Sequence, residues 1–262
     1  MSFSGNRLSV LGAEKRFFFF VDDNFAADLV HTRDLLRALI PLKIRWVTQM
    51  SINAAHDEEF LHLLGQAGCQ GVLIGFESLN AGTLHEMHKD FNAAQGGYER
   101  AIENLRRHKI RIYATFVFGY DSDTVDAFEE AVEFSKDHGF YITAFNHLTP
   151  FPGTPLYSRL ERENRLIFRR WWLDEGYSYN QIPFLPRGMT PEALQEHCLD
   201  ARRSFYSLGS MLNRGFDRIN RSSAFMFRNF FVINAMHRAE IRQRNRYPLG
   251  DEAWKGPYVN VT

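Results

Sequence analysis

Carboxylates, amides and hydroxyls recur along this chain, each time directly after a short apolar run. Asp22, Asp23 and Asn24 follow Phe17-Phe18-Phe19-Phe20-Val21, and Gln49, Ser51 and Asn53 follow Trp46-Val47-Thr48. Glu77 and Ser78 close a run from Gly71 to Phe76, Gly119 and Asp121 follow Phe116-Val117-Phe118, and Asn146 and His147 follow Ala144-Phe145. Gathered in one place, these residue types suit a polar, zwitterionic ligand. A carboxylate accepts from an amine, while a Ser hydroxyl and backbone N–H groups hold a carboxylate or a ribose. The plainer reading of Asp22-Asp23-Asn24 is a turn with an N-cap, and that of Glu77 a carboxylate bonded to loop amides. Repetition favours a ligand for the first group. For Glu77 the argument is energetic, because an unpaired carboxylate buried at a strand end is costly.

The elements that must position these residues read as strands alternating with helices. Strands over 17–21, 43–50, 71–75, 111–118 and 141–147 are separated by helical patterns over 28–40, 57–67, 98–108 and 124–138, with a short helix and loop over 80–92. This alternation predicts right-handed βαβ units and a parallel sheet. The unbroken run 17–21 suits a strand covered on both faces. Ligands of such sheets and of (β/α) barrels sit at the carboxyl ends of the strands, so the polar residues above are predicted to share one rim.

The pattern changes after Leu148. Pro150, Pro152, Gly153 and Pro155 make a rigid loop, and an aromatic segment with Trp171-Trp172 follows. Thr190-Pro191 then opens a helical stretch reaching Arg246, with Thr190 as N-cap and Pro191 at the first helical position. The expected divisions are a (β/α) portion over 1–160, an aromatic, Pro-rich connection over 161–189 and a helical extension over 190–262. Residues 1–16 carry little pattern and read as a loop or helix remnant.

With 262 residues, 45% of them hydrophobic, the chain can bury a large core. Lys+Arg 31 against Asp+Glu 31 gives no overall bias toward nucleic acid or membrane. Cys69 and Cys198 stand far apart, which favours a reduced compartment over a disulfide framework. No segment has the length of a membrane span and no secretory signal opens the chain, so a cytoplasmic protein is expected. His85 and His88 share a helix face but lack a third ligand, and they read as solvated residues with no metal assigned. Between Arg214 and Arg246, eight arginines interleave with Phe216, Phe225, Phe230 and Phe231 against only Asp217 and Glu240. A helix docked by its apolar side, with arginine stems covering it, is favoured there over a nucleic-acid or membrane contact.

Five segments in order, FVDDNF, WVTQMSI, AGCQGVLIGFESLN, TFVFGYDSDT and FNHLTPFPGTPLY, resemble the radical S-adenosylmethionine (SAM) superfamily. The match is strongest to the branch whose members often carry an N-terminal cobalamin-binding domain. It covers roughly residues 17–160, and the helical stretch from Met189 is similar to that branch's C-terminal extension. The resemblance implies an α/β fold, a partial (β/α)6 TIM-like barrel. It also implies SAM, a [4Fe–4S] cluster that reductively cleaves SAM to a 5′-deoxyadenosyl radical, and a flavodoxin- or ferredoxin-type electron donor. The resemblance leaves the substrate, a small or lipid-like molecule, unidentified, and it allows cobalamin in a full-length parent. By position in the family pattern, Asp22, Asp23 and Asn24 stand where the methionine amine of SAM is met. Glu77 and Ser78 stand at its ribose or carboxylate, Phe118-Gly119-Tyr120 along its adenine, and Asn146 to Thr149 at the sixth-strand position, with Gln49 on the same rim. Lys89 stands in a loop similar to the family's loop after the fourth strand, where a residue facing SAM or substrate and a plain surface lysine are equally open readings.

The chain departs from the family in one respect. It contains no CxxxCxxC and no other set of three cysteines, and Cys69 and Cys198 are too far apart to replace one. The family's first strand and its loop have no counterpart, which points to a truncated or mis-started chain ahead of a degenerate one. The expectation is therefore the SAM- and substrate-binding part of a radical SAM enzyme, unable to hold the cluster alone. The alternative is a non-catalytic module that binds SAM or a partner.

Overall fold

The apolar runs pair in the order of the sequence. In the computed structural model, which describes residues 17–87, 97–178 and 180–243, strands β1 (Phe17–Phe20), β2 (Arg45–Gln49), β3 (Cys69–Glu77), β4 (Arg111–Phe118) and β5 (Ile142–His147) form one sheet. All four pairings are parallel, with Phe19 opposite Val47, Val47 opposite Gly71, Leu73 opposite Tyr113 and Tyr113 opposite Ile142. The result is an open, TIM-like half-barrel with helices packed on its outer face.

Period-two alternation explains the two faces. Trp46, Val72, Ile74, Phe76, Ala114, Phe116 and Phe145 are buried against the outer helices, with Phe76 among Tyr98, Phe116 and Phe140 at ring distances of 5.0, 5.7 and 5.1 Å. Val47, Leu73, Tyr113 and Ile142 alternate with them onto the inner face. There they line an apolar cavity of about 280 Å3 beneath Met226 and Ile233.

Local chemistry sets the helix starts. Asp28 caps α1 (Leu29–Leu39) by accepting from Val30 and His31 N–H, and Asp57 caps α2 (Glu58–Gln66) by accepting from Phe60 N–H. α3 (Ala81–Glu86) is capped by Asn80, and α4 (Gly97–Arg107) and α5 (Asp126–Asp137) complete the outer layer. Two helices, α6 (Pro155–Arg162) and α7 (Pro191–Phe205), begin alike, with Thr154 or Thr190 as N-cap and proline at the first helical position. α8 (Leu208–Gly215) and the long α9 (Ala224–Gln243) follow.

Two expectations are corrected. The run 17–21 is not covered on both faces: β1 is the sheet edge, and Phe17, Phe19 and Val21 are 42%, 53% and 78% exposed. A run of identical apolar residues carries no period from which one open side could be read. Nor do the arginines after 214 all lie along a helix surface. Arg214 is 1% exposed, its guanidinium 3.6 Å from the Phe205 ring centroid. It donates to Ser210 Oγ at 3.1 Å, to Phe140 O and Phe205 O at 2.9 Å each, and to Asn234 Oδ1 at 3.1 Å. Burial pushes its pKa down to about 10. α9 docks by Met226, Phe230 and Asn234, while Arg218, Arg221 and Arg228 are exposed; Arg244 and Arg246 lie outside the described residues. No helix among the described residues is long and apolar enough to cross a membrane.

Candidate functional site

Parallel pairing in sequence order places the five polar strand ends side by side along one edge of the half-barrel. At the end of β1 the chain turns through Asp23–Ala26. Asn24 Oδ1 accepts from Ala26 N–H (3.3 Å) and Ser51 N–H (3.1 Å), and Gln49 Nε2 donates to Asp23 O at 2.9 Å. Asn24 and Gln49 thereby lock the ends of β1 and β2 together. Asp22 and Asp23 are exposed, and neither carboxylate has a hydrogen bond or ion pair among the described residues.

β3 ends in a backbone irregularity. The β3–β4 register shifts between Gly75 and Glu77, and Glu77 has φ 68°, a left-handed conformation that costs a non-glycine residue on the order of 1 kcal/mol or more. The Tyr98 hydroxyl holds this bend by donating to Phe76 O (2.7 Å) and Ser78 O (2.9 Å). The half-buried Glu77 folds its carboxylate back over Gly75, where a Cβ would stand 2.3 Å from Glu77 Oε1. Glycine at 75 is what leaves room for that carboxylate. Ser78 is buried, and its Oγ accepts from Asn80 N–H at 3.0 Å.

After β4, Gly119 takes φ 112°, and a Cβ there would stand 2.8 Å from Leu194 Cδ2. Gly119 and Tyr120 N–H both donate to Asp123 Oδ2, at 2.8 and 3.0 Å, and Thr83 Oγ1 donates to Asp123 Oδ1 at 2.8 Å. Burial nevertheless raises the Asp123 carboxyl. The Tyr120 hydroxyl is pushed up to about 12, by burial first and then by the negative charges of Glu77, Glu86 and Asp123, which puts Glu77 in electrostatic reach of this loop. The Phe118 ring turns away, stacked on Phe128 at 4.1 Å, so only its backbone faces the rim.

At the end of β5, Asn146 is exposed and Thr149 half-buried, with Asn146 Oδ1 at 3.4 Å from Arg202 Nη2. The His147 imidazole is held neutral, its pKa lowered by burial.

Asp121 is the rim candidate that the structure removes. Its carboxylate meets Arg165 at 2.7 Å, Arg187 at 3.4 Å and Arg159 at 3.7 Å, fastening the loop after β4 to α6 and to the segment that follows it. Burial alone would raise this carboxyl, but the three arginines hold it below the ordinary carboxylate range. His88 and Lys89 lie outside the described residues. Sequence reasoning passed over Thr83, Tyr98 and Asp123, which brace the rim from behind. Only Asp123, two residues beyond a suspected site residue, carried any signal.

The residues present do not fit an iron–sulfur cluster. Cys69 opens β3 at the end opposite the rim, Cys198 lies in α7, and burial pushes both thiols up to about 12, far from the thiolate a cluster needs. Among the described residues no three His, Cys, Asp or Glu side chains stand close enough to hold a metal ion.

An all-parallel half-barrel with a polar rim at the carboxyl ends of its strands defines a class of α/β ligand-binding scaffold. Within that class the chain belongs to the radical SAM superfamily, on its cobalamin-associated branch. It is 34% identical over 204 residues to the bacteriochlorophyllide d C-12(1)-methyltransferase of Chlorobaculum tepidum, covering 78% of this chain and 43% of that protein. It is 25% identical over 221 residues to the anaerobic magnesium-protoporphyrin IX monomethyl ester cyclase of Cereibacter sphaeroides, covering 83% and 34%. Among solved structures, the radical SAM methyltransferase TsrM from Kitasatospora setae, with cobalamin and a [4Fe–4S] cluster bound, shares the fold at TM-score 0.54 and 17% identity, over 92% of this chain and 54% of that one. The chain spans less than half the length of these two sequence relatives. No protein-family model matches it.

Proposed function

We propose that these residues form the SAM- and substrate-binding half of a cobalamin-associated radical SAM enzyme acting on a small molecule, with carbon methylation as the favoured outcome. The observation that carries this reading is Glu77: a carboxylate set on the inner face by a left-handed bend, over a glycine that leaves it room. An acid held at such a backbone cost, on the same rim as the exposed carboxylates of Asp22 and Asp23 two strands away, suits a ligand that carries an ammonium, a sulfonium and ribose hydroxyls. In this reading Asp22 and Asp23 receive the amine, and Glu77 with Ser78 orients the ribose or the far end of the amino acid. The Gly119–Tyr120 backbone flanks the adenine, Asn24 and Gln49 hold the first two strand ends in register, and Asn146 and Thr149 border the far side.

Bound SAM and cluster supply a 5′-deoxyadenosyl radical in this family, and cobalamin a methyl carrier. The cluster thiolates are not among these 262 residues and would come from polypeptide outside them, as would the cobalamin site. A flavodoxin- or ferredoxin-type donor and a reducing cytoplasm complete the proposal, in keeping with two buried, unpaired thiols. The second reading, a module that binds SAM or a partner without chemistry, separates from the first in the coding DNA: an in-frame CxxxCxxC upstream supports the enzyme.

Calorimetric titration with S-adenosylhomocysteine tests the pocket. Asp23→Ala and Glu77→Ala should each weaken binding by about 1–3 kcal/mol, roughly 5- to 150-fold. Unchanged affinity in both variants would place the ligand elsewhere.

A further inference from the structure

A second cavity, of about 230 Å3, opens beside the rim between β5, α7 and α9. Tyr113, Ala144 and Asn146 form its sheet side, Arg202 projects from α7, and His237 and Glu240 come from α9. Long apolar side chains would have filled such a seam; the sequence places a guanidinium there instead.

Arg202 is held in place but not neutralised. Its Nε donates to Phe145 O at 3.0 Å, and Nη2 reaches Asn146 Oδ1 at a long 3.4 Å. These contacts fix the plane of the fork and leave most of its N–H groups without a protein acceptor among the described residues. No carboxylate lies within ion-pair distance of Arg202 among the described residues, whereas the half-buried Arg33, Arg106 and Arg159 meet Asp57, Asp217 and Glu86. The open charge is felt by its neighbours. Burial raises the Tyr113 hydroxyl and lowers the His147 imidazole, and Arg202 pulls both downward.

The opposite wall carries Glu240, with His237 Nδ1 3.7 Å from its Oε2 and the His237 ring stacked on Tyr206 at 5.3 Å. With Arg202 as the guanidinium of the cavity and Glu240, beside His237, across from it, a single fork matches a monoanion better than a dianion, whose second charge would meet Glu240. The volume lies below the roughly 300–1,000 Å3 of pockets that enclose a whole ligand, so the cavity suits one arm of a larger molecule.

We propose that this cavity is a subsite for a carboxylate-bearing arm of the substrate, with the carboxylate paired to the fork of Arg202 beside Asn146 and Tyr113. The proposal rests on the preceding functional reading only in calling the ligand a substrate. The chemistry distinguishes it from a phosphate site, because a single arginine opposite Glu240 is matched to one negative charge.

Saturation-transfer NMR on the chain, with propionate, propionamide and inorganic phosphate as probes, tests the assignment, and S-adenosylhomocysteine is titrated in parallel. Propionate should bind in the millimolar range normal for so few atoms, while propionamide and phosphate should not. Arg202→Gln should weaken propionate at least about tenfold, and Arg202→Lys by less, with S-adenosylhomocysteine affinity kept within about twofold. If Arg202→Gln fails to fold, Glu240→Gln takes its place and should tighten propionate by removing the facing charge. The proposal is overturned by absence of propionate binding, by equal binding of phosphate, by propionate affinity unchanged in the variant used, or by joint loss of propionate and S-adenosylhomocysteine in Arg202→Gln. That last result would assign Arg202 to the carboxylate of SAM. If the unsubstituted chain binds propionate through Arg202 but no S-adenosylhomocysteine, the SAM reading falls and the carboxylate subsite stands.

Discussion

Arg214→Met removes in one step the cation that joins α8, α9 and the start of β5. The guanidinium now serves four acceptors, of which Phe205 O also receives Ser210 Oγ–H at 2.7 Å and so keeps a partner. Phe140 O and Asn234 Oδ1 have no other donor among the described residues, and each buried acceptor left bare costs about 1–3 kcal/mol. Against this, methionine is spared the desolvation that pushes Arg214 down to about 10, and it still packs on Phe205. The balance is a loss of about 2–4 kcal/mol. At about 2–4 °C per kcal/mol for a chain of this size, the thermal midpoint by circular dichroism should fall by roughly 5–15 °C. Arg214→Lys should fall comparably, because one compact ammonium cannot span acceptors set around a planar fork. A methionine variant melting within about 2 °C of the parent would refute the reasoning, showing that the buried cation costs as much as its hydrogen bonds return.

Two further outcomes follow from the buried groups. Anaerobic reconstitution with iron and sulfide should leave the chain without stoichiometric metal, because neither thiol is accessible as a thiolate; a [4Fe–4S] absorption spectrum would contradict this. Stability should fall on acidification through the histidine range. The folded pKa of His147 and of His56 is lowered below 6.5, chiefly by burial, so the unfolded chain binds more protons there and unfolding gains ground as pH drops below about 6.5. Melting curves from pH 7.5 to 5.5 should show this slope, and a His56→Gln, His147→Gln variant should flatten it; an equal slope in the variant would clear both residues.

The half-barrel was legible because each strand–helix unit announced itself locally. Apolar runs marked β3 to β5, Thr190-Pro191 set the start of α7, and Gly68 closed α2, whereas Thr154-Pro155, read as part of a rigid loop, opens α6 in the same way as Thr190-Pro191 opens α7. What escaped were properties of the assembly. The Phe17–Phe20 run hid which side is open, since four identical residues have no phase. Asp121 looked like its neighbours at the strand ends, yet three arginines that claim it come from up to 66 positions away in the chain, a coupling no window of sequence displays. Arg214 and Arg202 were read as one basic stretch and one helix residue. Their opposite fates, one saturated by acceptors and the other facing a void, depend on how α7, α8 and α9 meet β5.

The bend at the end of β3 also fixes depth. Because two residues there stand against Phe116, Glu77 lies one rung nearer the barrel floor than a regular strand would carry it, a difference of about 3.3 Å. Straightening that strand would lift the acid toward bulk water without altering any residue on the rim, so the vertical position of whatever it grips is written into the backbone.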